Sequence, residues 1–207
     1  MKYILLHGLG QTSQSWEKTL EAAGCGFEFL CPELSEWICG ATPTYPDLYR
    51  EFENYCENFR EPLNLCGLSL GGILALQYAA EHSNRVNSAV LIGAQFSMPK
   101  NLLKFQNMVF RLLPSRSFRK IGLGKTEVIS LSKSMMHLDF SPDLSKISCR
   151  ALVLCGEKDR GNKPASMELA KRISGAQLSF VSGSGHEVNV DAPTELGRIL
   201  HAFWTSQ

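Results

Sequence analysis

The chain has 207 residues, of which 44% are hydrophobic, 9% aromatic and 20% charged. That balance excludes a disordered chain, a collagen and a charge-rich coiled coil, and the length suits one domain whose core needs no disulfide or metal staple. Lys and Arg number 21 against 20 Asp and Glu, a net charge of +1, so no global basic field argues for nucleic acid.

Lys2–Leu6 is an apolar run ending at His7-Gly8 and is predicted as the first strand. It is too short for a signal-peptide core of about 7–15 residues, and no leader is expected. No apolar run approaches the roughly 18–20 residues that span a membrane. Residues 13–22 follow as a helix with Trp16 and Leu20 on one face, and residues 27–31 as a strand. Residues 45–59 place Leu48, Phe52, Cys56 and Phe59 at helical spacing. Then come a strand at 63–66, an Ala- and Leu-rich helix at 70–82 and a strand at Val86–Ile92. A strand at 151–155, a helix at 164–173 and a strand at 178–181 complete the alternation. Asp191-Ala192-Pro193 reads as the cap and first turn of a last helix running to Trp204.

Each strand is short, mostly apolar on both faces and stopped by Gly or Pro, as in a parallel sheet covered on both sides. Strand and helix in repeated alternation predict an α/β fold, doubly wound, with about six mostly parallel strands. One stretch breaks the rhythm. Residues 97–148 show no clear strand, but carry an amphipathic segment at 102–113 and a helical one at 126–136. The expected layout is a single domain with core 1–96 and 149–207 and a helical lid at about 97–148.

The seven cysteines are Cys25, Cys31, Cys39, Cys56, Cys66, Cys149 and Cys155. An odd count with no C-x-x-C pair argues against a disulfide framework and against a zinc site. Cys31, Cys66 and Cys155 lie in or at the end of apolar runs and read as small buried hydrophobes. The compartment expected from this usage is the cytoplasm. No P-loop, dinucleotide fingerprint or H-E-x-x-H occurs, so no cofactor and no metal is expected. Ser130-Leu131-Ser132-Lys133 matches S-x-x-K, but the companion S-D-N and K-T-G motifs are absent.

Gly67-Leu68-Ser69-Leu70-Gly71-Gly72 joins a predicted strand to a predicted helix. G-x-S-x-G in that setting is a nucleophile elbow: the glycines admit a turn too tight for side chains, and Ser69 stands exposed above the sheet at a helix N-terminus. Such a serine needs a base and an acid that orients the base. Of the five histidines, His7 follows the first strand, His82 ends a helix, His137 lies in the insertion and His201 lies in the last helix. His186, in Ser182-Gly183-Ser184-Gly185-His186 after the last strand, sits where a loop reaches over the elbow. For the acid, no carboxylate follows Val86–Ile92, whereas Glu157 and Asp159 both follow the strand at 151–155.

Through His7-Gly8-Leu9-Gly10, Gly67–Gly72, Gly156-Glu157-Lys158-Asp159 and Gly185-His186, nearly the whole chain resembles the α/β-hydrolases. The resemblance implies that Asp159, rather than Glu157, is the acid of a Ser69–Asp159–His186 triad. It also implies an oxyanion hole made by the backbone N–H groups of Leu9 and Leu70, with His7 part of the loop architecture. The chain begins at the His-Gly strand, where larger members have two strands before it, and the serine disfavours activities that need an Asp nucleophile.

The expected function is hydrolysis of a small carboxylic ester or thioester through an acyl-enzyme. A carbon–carbon bond hydrolase or lyase using the same triad is the alternative, and a non-catalytic ligand-binding protein a second one. Between residues 97 and 138 the basic residues are Lys100, Lys104, Arg111, Arg116, Arg119, Lys120, Lys125 and Lys133, against the single acid Glu127. This charge is either the solvated face of lid helices or an attraction for an anionic or carrier-linked substrate. No nucleic-acid partner is expected, and the oligomeric state is not encoded in any pattern of the sequence.

Overall fold

The computed structural model describes residues 1–38, 42–98 and 123–206. Six strands form one sheet in the order β2-β1-β3-β4-β5-β6, all neighbours parallel. They are β1 (Lys2–Leu6), β2 (Glu28–Leu30), β3 (Leu63–Leu68), β4 (Val86–Ile92), β5 (Arg150–Gly156) and β6 (Gln177–Val181). The longer helices are α1 (Glu17–Ala23), α3 (Tyr45–Glu57), α4 (Leu70–Glu81), α5 (Lys125–Ser134), α6 (Lys163–Arg172) and α8 (Pro193–Thr205). Two four-residue helices, α2 (Leu34–Trp37) and α7 (Val188–Asp191), were not legible in the periodicity.

Strand alternation splits the core into two layers. Ile4, Leu6, Leu65, Leu91 and Val153 face α3, α4, α5 and α6. Tyr3, Leu5, Cys66, Val90 and Leu154 face the other way, onto Trp16 and the Leu196, Leu200 and Phe203 stripe of α8. α1 and α8 pack closely because Gly197 has no side chain: a Cβ there would stand 2.5 Å from the Thr19 carbonyl oxygen. The central strands β3 and β4 are buried on both faces, as expected, but the edges are not. In β6, Leu178 is 37% and Phe180 38% exposed, and β2 is half-buried to exposed, because an edge strand has a neighbour on one side only.

β1 and β3 are the topological switch. The chain leaves β1 toward β2, then crosses back to β3 on the other side of β1. The loops after β1 and β3 therefore diverge and leave a crevice at the carboxyl ends of the strands, where open α/β sheets bind ligands.

Residues 123–148 share the core layer of α3 and α4 through Leu123, Val128, Leu131, Met135 and Leu144. Ser134 Oγ accepts the N–H of Tyr45 at 2.7 Å. Ser97 and Asp139 form an isolated antiparallel bridge within the stretch where no strand was expected. The amphipathic segment expected at 102–113, Cys39, and the basic residues Lys100, Lys104, Arg111, Arg116, Arg119 and Lys120 lie outside the described residues. The six described cysteines are all free: Cys56, Cys66, Cys149 and Cys155 are buried, whereas Cys31 is only half-buried, since the strand before it is an edge. No described helix is long and apolar enough to cross a membrane.

Candidate active site

Ser69 joins β3 to α4, and among the described residues it is the one non-glycine with a positive φ, at 53°. An L-residue is held there only when its surroundings leave no alternative. The neighbours supply that constraint. A Cβ on Gly67 would stand 2.1 Å from the Gly71 carbonyl oxygen, and one on Gly71 would stand 2.2 Å from that of Leu6. α4 thus starts pressed against the ends of β3 and β1, and only glycine fits at either contact. Ser69 N–H is held by the Ile92 carbonyl of β4 at 2.9 Å.

The loop after β5 carries the acid. Asp159 Oδ2 accepts from His186 Nδ1 at 2.7 Å, and Asp159 is buried. Asn162 supports the carboxylate: its Nδ2 lies 3.0 and 2.9 Å from the two oxygens and its backbone N–H 3.2 Å from Oδ1. Gln95, in the loop after β4, donates to Asn162 Oδ1 at 2.7 Å, which turns the Asn162 amide nitrogen toward the carboxylate. Burial alone would raise the Asp159 pKa, but the hydrogen bonds from His186 and Asn162 outweigh it and hold the carboxyl below its ordinary value. The ionised carboxylate in turn requires the hydrogen of His186 on Nδ1, which leaves Nε2 as the basic nitrogen.

Glu157, the other carboxylate of this loop, faces elsewhere. It accepts from Gly183 N–H at 2.9 Å and Ser182 Oγ at 3.1 Å, and so ties down the loop that leads to His186. Asp191 was expected to cap the last helix, yet that helix begins after Ala192 with no side-chain cap. Asp191 instead ends α7 and accepts the N–H of Gly185 at 2.7 Å, drawn back toward the histidine loop by that unpaired backbone donor. The two loops also cross closely: a Cβ on Gly156 would stand 1.8 Å from the Gly185 carbonyl oxygen.

His186 lies beside the end of β4, next to Ser69's own anchor. Gly93, the residue after Ile92, would place a Cβ 3.1 Å from His186 Cε1 and Nδ1 and 3.6 Å from Asp159 Oδ2. The fold thus brings Asp159 and His186 into direct contact and sets Ser69 on the adjacent strand ends. Among the described residues no hydrogen bond joins Ser69 Oγ to His186.

Leu9 and Leu70 line one small cavity with Leu34, Ile38 and Leu123. The Gly8 carbonyl accepts from His7 Nδ1 at 2.9 Å and from Gln11 N–H at 3.1 Å. In a trans peptide the next N–H points the opposite way, so these two bonds aim the Leu9 amide. His7 is buried and architectural: its Nε2 lies 3.1 Å from the Leu34 backbone nitrogen and 3.0 Å from Glu33 Oε1. Burial would raise the Glu33 carboxyl, but Ser13 N–H, His7 and Ser35 hold it below its ordinary range. Two other histidines make polar contacts away from the site. His82 Nε2 meets Glu53 at 2.9 Å, and His201 Nδ1 meets the Ala23 carbonyl at 2.8 Å.

The sequence pointed to neither Asn162 nor the Gln95, Gln11 and Asn189 amides. Asn162 had one local signal, its place three residues after Asp159. The rest are distant polar residues with no motif.

Comparisons with known proteins bear on the family of the chain. A model described as the alpha/beta hydrolase family matches residues 3–198. A pimeloyl-[acyl-carrier protein] methyl ester esterase of Aromatoleum aromaticum is 33% identical over 91 residues, 44% of this chain and 36% of that one. A Bacillus subtilis protein provisionally named 2-succinyl-6-hydroxy-2,4-cyclohexadiene-1-carboxylate synthase is 26% identical over 181 residues, 70% of this chain and 66% of that one. In each case the match spans less than two thirds of the relative's own length. The crystal structure of an enol-lactonase from Burkholderia xenovorans superposes with a TM-score of 0.84 at 19% identity, covering 99% of this chain and 91% of that one.

Proposed function

Since the chain belongs to the alpha/beta hydrolase family, we propose that it is a serine hydrolase that cleaves a small carboxylic ester or thioester. The single observation that carries this reading is the Asp159–His186 hydrogen bond of 2.7 Å beside the strained Ser69 turn. In the proposed reaction His186 Nε2 takes the Ser69 hydroxyl proton as Oγ attacks the ester carbonyl. The Leu9 and Leu70 amides receive the oxyanion, each donor contributing on the order of 3 kcal/mol to the barrier reduction. Collapse expels the alcohol or thiol with the proton from His186. Water, deprotonated by the same nitrogen, then releases the acid and regenerates Ser69.

The substrate class draws support from two sources. One is the name of the Aromatoleum relative, an esterase of a carrier-linked methyl ester. The other is the run of eight basic residues against one acid between residues 97 and 138, which suits an anionic or carrier-linked acyl group near a helical lid. A cytoplasmic location is part of the proposal, in keeping with the six free cysteines among the described residues. The name of the Bacillus relative favours a second reading, a lyase or carbon–carbon bond hydrolase with the same triad.

Fluorophosphonate labelling tests the central claim. Wild-type protein is expected to label on Ser69 and the Ser69→Ala variant to stay unlabelled. Absence of label on the folded wild type refutes the serine-nucleophile reading. A panel of neutral and anionic esters at rising salt tests the charge: kcat/KM for the anionic ones should fall more steeply.

A further inference from the structure

Beneath the site a buried pair of amides joins the two ends of the chain. Gln11 Nε2 donates to Asn189 Oδ1 at 3.1 Å, and Asn189 Nδ2 donates to Gln11 Oε1 at 3.1 Å. Gln11 is 8% exposed and Asn189 1%. Gln11 Oε1 also accepts the N–H of Gly8, at 3.3 Å. This third contact settles how both amides are turned. Only the oxygen end of Gln11 can face a backbone donor, and Asn189 must then offer its nitrogen to that oxygen.

The placement of the pair carries more than packing. Gln11 grips both peptide groups that flank Gly8, the N–H through its side chain and the carbonyl through its own backbone N–H. The Leu9 amide is the trans partner of that carbonyl, so its direction follows from the grip. Asn189 lies in α7, three residues after His186. A hydrogen-bonded pair that only filled the core could be exchanged for apolar side chains of similar shape at little cost. What an amide pair adds is orientation, and here it is applied between the loop after β1 and the loop after β6.

We propose that Gln11 and Asn189 are positioning residues that hold the Leu9 amide in register with His186. The proposal rests on the serine-hydrolase reading and adds to it a specific coupling between the oxyanion loop and the base.

The test uses the full chain with Gln11→Leu, Asn189→Leu and both together, on a p-nitrophenyl ester. Each single variant should lower kcat roughly 10- to 100-fold, since a lost oxyanion donor costs about 10²–10³ and these displace one rather than delete it. KM should stay within about threefold, and a trifluoromethyl ketone that mimics the tetrahedral intermediate should weaken by the same factor as kcat. The double variant should be no slower than the slower single, because both break one device.

The exchanged pair, Gln11→Asn with Asn189→Gln, guards against loss of folding. It keeps two facing amides and the total side-chain length, but withdraws the oxygen from Gly8 by one methylene. It should melt near the wild type and still show a lowered kcat. Wild-type kcat and inhibitor affinity in the exchanged pair, or in Leu variants with a lowered melting temperature, would overturn the proposal, as would single effects that multiply in the double. Failure of the wild type to label with fluorophosphonate overturns the hydrolase reading and this proposal together. Labelling of the wild type with unaltered variants overturns this one alone.

Discussion

At the turn from β3 into α4, backbone meets backbone. Gly67 stands against Gly71 and Gly71 against Leu6, with no room for a Cβ at either contact. In the loops after β5 and β6 the close crossing of Gly156 and Gly185 is of the same kind, but the chemistry is held by side chains. Asp159, Asn162 and Gln95 form a chain of hydrogen bonds leading to His186, while Glu157 and Asp191 hold the backbone N–H groups of Gly183 and Gly185 just before it. The first region is shaped by excluded volume, which tolerates one residue type and leaves a motif. The second is shaped by directed polar contacts between residues far apart in sequence, which many residue combinations would satisfy.

The two regions should fail differently, and the largest expected effect is chemical. Ser69→Ala should lower kcat by roughly 10⁶, about 8 kcal/mol of barrier, with the fold intact. Steady-state kinetics beside a circular dichroism spectrum would check both halves of that statement. Asp159→Asn should lower kcat by about 10⁴ through the wrong histidine tautomer. Glu157→Gln, which only loosens the histidine loop, should leave kcat close to wild type. Equal losses in the two would mean that the acid is misassigned.

Gly67→Ala should break the other region by destabilising the protein by more than about 4 kcal/mol, since the new Cβ meets a backbone oxygen that cannot move aside. Urea denaturation measures this, and a mild effect would show that α4 can shift away from β3. Asn162→Ala should cost roughly tenfold in kcat, the worth of a hydrogen bond to a charged group, and should raise the Asp159 pKa toward its ordinary value.

The smallest expected effect is on the pH dependence of stability. The Asp159 carboxyl titrates below its ordinary value in the folded protein. Its contribution is therefore fully present above the unfolded pKa of about 3.9 and is lost as pH falls through the folded one. The stability difference between wild type and Asp159→Asn, read from urea melts, should be constant near neutrality and narrow below about pH 4. A difference that widens on acidification would contradict the sign.

Much of this architecture is legible in the amino-acid sequence. The strand at Val86–Ile92 is legible to the residue, because its apolar stretch Ala89–Ile92 is buried on both faces and stops at Gly93. α3 is legible from helical spacing, α4 from its Ala- and Leu-rich composition, and the glycines around Ser69 from their pattern. The short helices α2 and α7 are not, since four residues carry no periodicity. Asp191 was misread as a cap because its sequence context, just before Ala-Pro, suits a cap equally well. What drew it away was a bare N–H at Gly185, six residues earlier, a competitor visible only in three dimensions.

The sequence by itself determined the parallel α/β alternation, the elbow at Ser69 and the histidine loop, because apolar periodicity and steric exclusion act locally and leave local marks. The residues alone left Glu157 and Asp159 as rival acids. The tertiary structure directed one to His186 and the other to Gly183, a difference of side-chain direction that spacing does not encode. It also set Gln11 beside Asn189, 178 positions away, and Gln95 beside Asn162. Hydrogen bonds between such partners form only once the sheet has brought the strand ends together, so nothing in the neighbourhood of either residue announces them.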